Sequence, residues 1–215
     1  ITGRRVSLGK AVEAECSSKG VRCVFVEANH SKVEDCQRVV EVALKEFNRI
    51  DILFNNAGIV TKGTAETTSD ETWQDTLNIN VTAVWKMCQL VLPQMKKQGK
   101  GAIVNNGSDW SVVAGKNAIP YIMSKGAVGM MTKAMALDYA RDGIRVNAVC
   151  PGDTFVDRWM EKGYFEGSDP VKMEDAIKEA SEYLPMGRFG KPEEIANAVV
   201  FLASDEASFV TGHLL

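Results

Sequence analysis

The sequence predicts one α/β domain built on a parallel, doubly wound sheet, and three observations lead there. Short apolar runs rich in Val and Ile alternate with helical stretches from end to end. The runs are apolar nearly throughout, as strands covered on both faces require. The 215 residues carry no internal repeat, linker or low-complexity tract, which suits a single large domain. Strand–helix units of this kind close into a doubly wound sheet through right-handed crossovers.

The elements follow in order. "VRCVFVEA", residues 21–28, reads as a buried strand, and residues 33–47 as a helix with Val33, Cys36, Val40, Ala43, Leu44 and Phe47 on one face. "IDILFNNAG", residues 50–58, is the next strand. Residues 81–95 form an apolar helix, and "GAIVNNGS", residues 101–108, another strand. A second apolar helix covers residues 127–139, and "IRVNAVCPG", residues 144–152, is the last clear strand. Pro192 opens a final helix at a first-turn position, with Glu193 and Glu194 at its positive end. The stretch Asp153–Gly190 is irregular and sets Phe155, Trp159, Tyr164 and Phe165 among charges. It follows a strand end, where ligands of open α/β sheets bind, so it is expected to cover a substrate.

Composition excludes several classes. The net charge of −3 and a pI of about 5.5 offer no basic stripe for nucleic acid or a membrane surface. No apolar stretch is long enough to span a bilayer. Cys16, Cys23, Cys36, Cys88 and Cys150 are odd in number and scattered, so neither disulfides nor zinc are expected and a reducing cytoplasm is the natural setting. Two histidines, His30 and His213, are too few for a histidine-rich metal site.

The chemistry lies in "YIMSK". Tyr121 and Lys125 are four residues apart and share a helix face. Ser108 ends a strand thirteen residues earlier, so all three can converge at the C-terminal edge of the sheet. A free phenol, with a pKa of about 10, is poorly matched to acid–base work at neutrality. A neighbouring ammonium lowers it. A serine hydroxyl holds a carbonyl or alcohol oxygen, while the hydride chemistry belongs to a nicotinamide.

At these residues the sequence resembles the short-chain dehydrogenase/reductase family. "NNAG" at Asn55–Gly58 is similar to the signature after the family's fourth strand, and "NINV" sets Asn80 at the position of its fourth catalytic residue. Ser108, Tyr121 and Lys125 match its Ser and Tyr-x-x-x-Lys. "RVNAVCPG" resembles the strand that precedes its nicotinamide-side loop, and "GRFGKPEEIANAVVFLASDEASFVTG" resembles its closing segment rather than that of its extended relatives. The resemblance implies a Rossmann-type sheet of strand order 3-2-1-4-5-6-7, NAD or NADP as cofactor, a small alcohol or ketone as substrate, and a homo-oligomer, tetramer or dimer. It implies that Tyr121 is the acid in reduction and the base in oxidation. Lys125 lowers the Tyr121 pKa and holds the nicotinamide ribose, Ser108 orients the substrate oxygen and Asn80 holds a relay water. Asn55, Ala57 and Gly58 line the cofactor crevice, and Pro151, Gly152 and Thr154 lie against the nicotinamide. Asn29 stands where the family usually has Asp, and meets the adenine. His30 is a loop residue at that end. Asp109 and Trp110 either face substrate or form a surface turn. A sugar or polyol dehydrogenase and a 3-oxoacyl reductase are both consistent with this; a catalytically silent nucleotide-binding regulator is the rival.

"ITGRRVSLGK" has two readings. In the first, Thr2, Gly3 and Gly9 form the family's glycine loop, with Ser7 replacing its middle glycine, and Glu27 meets the adenine ribose. In the second, only Thr2 and Gly3 belong to that loop. The spacing from Asn29 to Asn55 then needs no gap, and a helix and a strand of the family are absent between Gly3 and Arg4, as is the end beyond Leu215. The second reading leaves Arg4 and Arg5 near an adenosine 2′-phosphate, a hint of NADP.

Overall fold

The computed structural model describes residues 1–156 and 170–215. Trp159, Tyr164 and Phe165 of the expected cover lie outside them. The strands are β1 (Thr2–Gly3), β2 (Val26–Glu27), β3 (Ile52–Asn55), β4 (Gly101–Asn106) and β5 (Ile144–Val149). The helices are α1 (Val6–Ser18), α2 (Val33–Phe47), α3 (Asp70–Leu77), α4 (Ala83–Gln98), α5 (Ile119–Tyr139), α6 (Pro170–Ser181) and α7 (Pro192–Ala203).

β3, β4 and β5 pair in parallel in that order, with Leu53 opposite Ile103 and Ile103 opposite Val146. Alternation along β4 serves two cores at once. Ile103 and Val146 join Cys36, Val40, Val84, Met87, Val91, Met95 and Met135 under α2, α4 and α5. Val104 and Val149 pack on Leu202 of α7. That arrangement is a Rossmann-type α/β fold with helices on both faces, and it explains why these strands read as continuous apolar runs. The C-terminal residues extend the sheet: Ala148 N–H donates to His213 O at 2.8 Å and Leu215 N–H to Ala148 O at 2.9 Å, so a further parallel strand begins beside β5.

The continuous order 3-2-1-4-5-6-7 is not realised strand for strand. β1 pairs with β2 in a separate two-stranded sheet, Thr2 opposite Val26. Its two strand residues hydrogen-bond to β2, and a cleft of about 560 Å³ lined by Thr2, His30, Val40 and Phe54 separates them from β3. The expected strand over residues 21–28 shrinks to two residues because only Thr2 and Gly3 lie opposite to pair with it. α1 is the crossover from β1 to β2, which follows the connectivity of the first reading of the N-terminal residues. Gly9 fits that reading too, since a Cβ there would run into the Phe25 ring. The packing does not: none of the α1 residues is buried, and Val6, Leu8 and Val12 face solvent.

Elsewhere the elements match, except that α6 forms inside the stretch 153–190 that was expected to be irregular. α2 has the expected bounds, closed by Asn48 in the left-handed region. α5 starts earlier than its apolar run, with Pro120 in its first turn. The helix expected over 81–95 starts at Ala83, after a π-turn over Asn78–Thr82. α3 was not expected. It is capped by Ser69, whose Oγ accepts Thr72 N–H at 3.1 Å.

Candidate active site

Ser108 is positioned by backbone. Beyond β4, Gly107 N–H donates to Val149 O at 2.8 Å and Asp109 N–H to Pro151 O at 3.0 Å, so the ends of β4 and β5 are tied together. A Cβ on Gly107 would lie 2.8 Å from Cys150 Sγ and 3.2 Å from Val149 O, which reserves the position for glycine. Ser108 then caps a one-turn helix, Asp109–Ser111. Its Oγ accepts Trp110 N–H at 3.2 Å and donates to Asp109 Oδ1 at 2.7 Å.

Tyr121 and Lys125 lie one turn apart on α5, as expected. Lys125 is buried and its Nζ donates to Asn106 O at 2.6 Å, while standing 5.6 Å from the Tyr121 ring centroid. Burial pulls the Lys125 pKa down to about 8, with Cys150 acting weakly the other way. Trp110 meets Tyr121 edge to face at 5.7 Å. The expected lowering of the phenol pKa is not realised. Burial pushes Tyr121 up, a hydrogen bond with Ser108 lowers it in part, and the Asp109 carboxylate raises it further. Lys125, committed to the Asn106 carbonyl, is not among these influences.

Asn80 sits in the π-turn and is buried. Its Oδ1 accepts Ile59 N–H at 2.8 Å, and its Nδ2 donates to Ile59 O at 2.9 Å and Ser124 Oγ at 3.0 Å. Both of its N–H groups are taken, and it clamps the loop after β3 to α5; Oδ1 keeps a second lone pair that a water could meet. Gly58 lies beside it: a Cβ there would be 3.3 Å from Asn80 Oδ1 and 3.8 Å from Lys125 Nζ. Asn55 borders the cleft between β1 and β3, and its side chain is buried. Its Nδ2 donates to Asn105 Oδ1 at 2.9 Å, and Asn105 donates to Thr132 Oγ1 at 2.9 Å, so a buried amide chain joins β3, β4 and α5. Ala57 and Gly58 remain exposed.

At the other end of the edge, Thr2 Oγ1 lies 2.9 Å from His30 Nε2, and burial lowers the His30 pKa. Gly3 O accepts Ala28 N–H, and Asn29 Oδ1 accepts from Ser31 N–H and Oγ. Pro151 and Gly152 continue from β5 past Ser108. Thr154 Oγ1 donates to Gly152 O at 3.2 Å. Thr154 also forms a bridge with Gly190: Phe155 N–H donates to Gly190 O and Gly190 N–H to Asp153 O, both at 3.0 Å. Tyr183 donates to Asp153, which drives its pKa up to about 12. Thus Ser108, Tyr121, Lys125, Asn80 and Gly58 gather at one place, while Thr2, Gly3 and Asn29 stand together at the β1–β2 end. Two contributors were missed. Asn106 anchors Lys125 through a backbone carbonyl, which leaves no trace in side-chain patterns, and its Oδ1 is buried with no hydrogen-bond partner among the described residues. Gly107 could have been noticed as the glycine immediately before a site serine.

Among the described residues no group of His, Cys, Asp and Glu could hold a metal, and no helix is long and apolar enough to cross a membrane. A family model described as enoyl-(acyl carrier protein) reductase matches residues 1–215. The 3-oxoacyl-[acyl-carrier-protein] reductase FabG of Thermotoga maritima is 38% identical over 183 residues, 85% of this chain and 70% of that protein. The L-fucose dehydrogenase of Bos taurus is 36% identical over 205 residues, 95% of this chain and 72% of that protein. Among solved structures, an F189W actinorhodin polyketide ketoreductase with NADPH superposes with a TM-score of 0.90 at 30% identity, covering 100% of this chain and 84% of that one.

Proposed function

The chain belongs to the short-chain dehydrogenase/reductase family and is an oxidoreductase of alcohols and ketones, and from that premise we propose that it interconverts a secondary alcohol and a ketone of the sugar, polyol or 3-oxoacyl type, with Tyr121 as acid and base. The observation that carries this reading is the convergence of Ser108, Tyr121 and Lys125 at the ends of β4 and β5.

The residues here fit a nicotinamide dinucleotide, NAD or NADP. Gly58 leaves the crevice floor beside Lys125 open, and a Cβ on Gly152 would meet nothing within 4 Å. Lys125 spends one of its three N–H groups on Asn106 O, leaving two for ribose hydroxyls, with Tyr121 beside it. Pro151, Gly152 and Thr154 would flank the nicotinamide, Ala57 and Gly58 the ribose, and Thr2, Gly3 and Asn29 the adenosine side. When bound, the nicotinamide supplies or takes the hydride.

The protein's own groups handle the oxygen and the proton. Ser108 Oγ holds the substrate oxygen once its hydroxyl turns from Asp109 Oδ1 toward it. Tyr121, whose pKa lies above the usual phenol value, carries its proton at neutral pH and delivers it to that oxygen in reduction. In oxidation the same phenol must first lose its proton, so kcat/KM for an alcohol rises with pH through the alkaline range. Asn80 keeps the Gly58 loop and α5 in register. Exposed Met123, Met130 and Leu137 on α5 and Trp85 on α4 support a homo-oligomer, and five free cysteines support a reducing cytoplasm. The test is nicotinamide fluorescence on mixing with NADH or NADPH, followed by an absorbance screen of alcohols and ketones. Tyr121→Phe is expected to bind cofactor and to turn nothing over; full turnover would sink the mechanism and return the silent-regulator reading.

A further inference from the structure

The site contains a carboxylate that hydride transfer does not use. Asp109 is half-buried, directly follows Ser108, and its Oδ1 accepts both Ser108 Oγ–H at 2.7 Å and its neighbour Trp110 N–H at 2.8 Å. Oδ2 takes no hydrogen bond among the described residues. The charge lies near enough to raise the pKa values of Tyr121, Cys150 and Tyr183. Beside it stands the Trp110 indole, edge-on to Tyr121 and seated over Gly115, where a Cβ would come within 2.7 Å of the ring. The two half-buried residues that follow Ser108 thus stand beside Tyr121.

We propose that Asp109 and Trp110 form a hydroxyl-recognising subsite that selects substrates bearing a second hydroxyl next to the reacting carbon, the polyhydroxy alcohols and ketones. A carboxylate only accepts hydrogen bonds, and a vicinal hydroxyl is a donor that meets it with a charge-assisted bond. A 3-oxoacyl thioester brings an alkyl chain on one side of its reacting ketone and a thioester carbonyl on the other, with no donor for Asp109 and, on that second side, lone pairs that the charge repels. A polar group built to bind a hydroxyl rejects the analogue lacking it, because the group is then left unpaired. The indole adds a flat apolar surface for the C–H face of a polyol. The proposal rests on the hydride-transfer reading above and narrows its substrate class.

The experiment compares cyclohexanol, vicinal cyclohexanediol, myo-inositol and an acetoacetyl thioester with the wild type, Asp109→Ala and Asp109→Asn. The wild type is expected to prefer the diol and inositol to cyclohexanol by about tenfold or more in kcat/KM. That ratio should collapse toward one in Asp109→Ala, with the loss carried mainly by KM for the diol. Asp109→Asn keeps the shape without the charge and carries the test should the alanine variant fail to fold. A wild type that prefers the acetoacetyl thioester overturns the proposal, and so does a diol-to-monol ratio that neither variant alters. Absence of turnover for every compound with both cofactors would instead sink hydride transfer. Saturation-transfer NMR of diol against monol on the same protein would then decide the subsite, and equal transfer from both would overturn it.

Discussion

The β3–β4–β5 region and the β1–α1–β2 unit have the same strand–helix grammar and different interiors. In the first, Ile103, Val104 and Val146 are fully buried and each strand face has a core. In the second, two-residue strands carry a helix with no buried residue, and Glu13 of α1 accepts Phe25 N–H at 2.5 Å. The residues proposed to be catalytic, Ser108, Tyr121 and Lys125, all stand on the first region, where a proton transfer would have buried support, and the proposed adenosine side rests on the lighter unit.

This contrast can be broken by measurement. The largest effect is expected from Tyr121→Phe, where kcat/KM should fall by about 10²–10⁴-fold or more with the melting temperature nearly unchanged. Loss of stability in proportion to activity would make Tyr121 a packing residue. Leu202→Ala, in the second core, should cost about 2–5 kcal/mol in chemical denaturation. Lys125→Met should abolish activity yet stabilise the fold, because burial penalises the ammonium. With a folded pKa of about 8 against an ordinary 10.5, the penalty is fully present below pH 8 and fades as the pH rises to 10.5, since the unfolded chain holds its proton longer. The wild type should therefore gain up to about 3 kcal/mol across that window, and Lys125→Met should lose that slope. Smallest of all, Leu8→Ala and Val12→Ala in α1 should change stability by about 0.5 kcal/mol or less, as exposed positions do. A loss as large as that of Leu202→Ala would mean that α1 has a buried face after all.

What the sequence made legible were local patterns. The four-residue step from Tyr121 to Lys125 places both on one helix face, and the amphipathic run of α2 fixes its length. The Ser108 position follows from a strand end. Less legible were features that depend on distant partners. α3, within "TTSDETWQDTL", has too few apolar positions to show a period and depends on its Ser69 cap. The Asn80 π-turn, the Asn106 carbonyl under Lys125 and the upward pKa of Tyr121 all arise from burial across elements that no single stretch encodes. The split between β1 and β3 likewise depends on pairing at long range.

The rung between Thr154 and Gly190 has a consequence for how this molecule can change. The chain leaves the sheet edge and returns to it at adjacent points, so the residues between begin and end at a closed neck. Because the two ends are held against each other, a change of length between them leaves both attachment points in place beside Ser108, and the sheet edge need not be rebuilt to accommodate it.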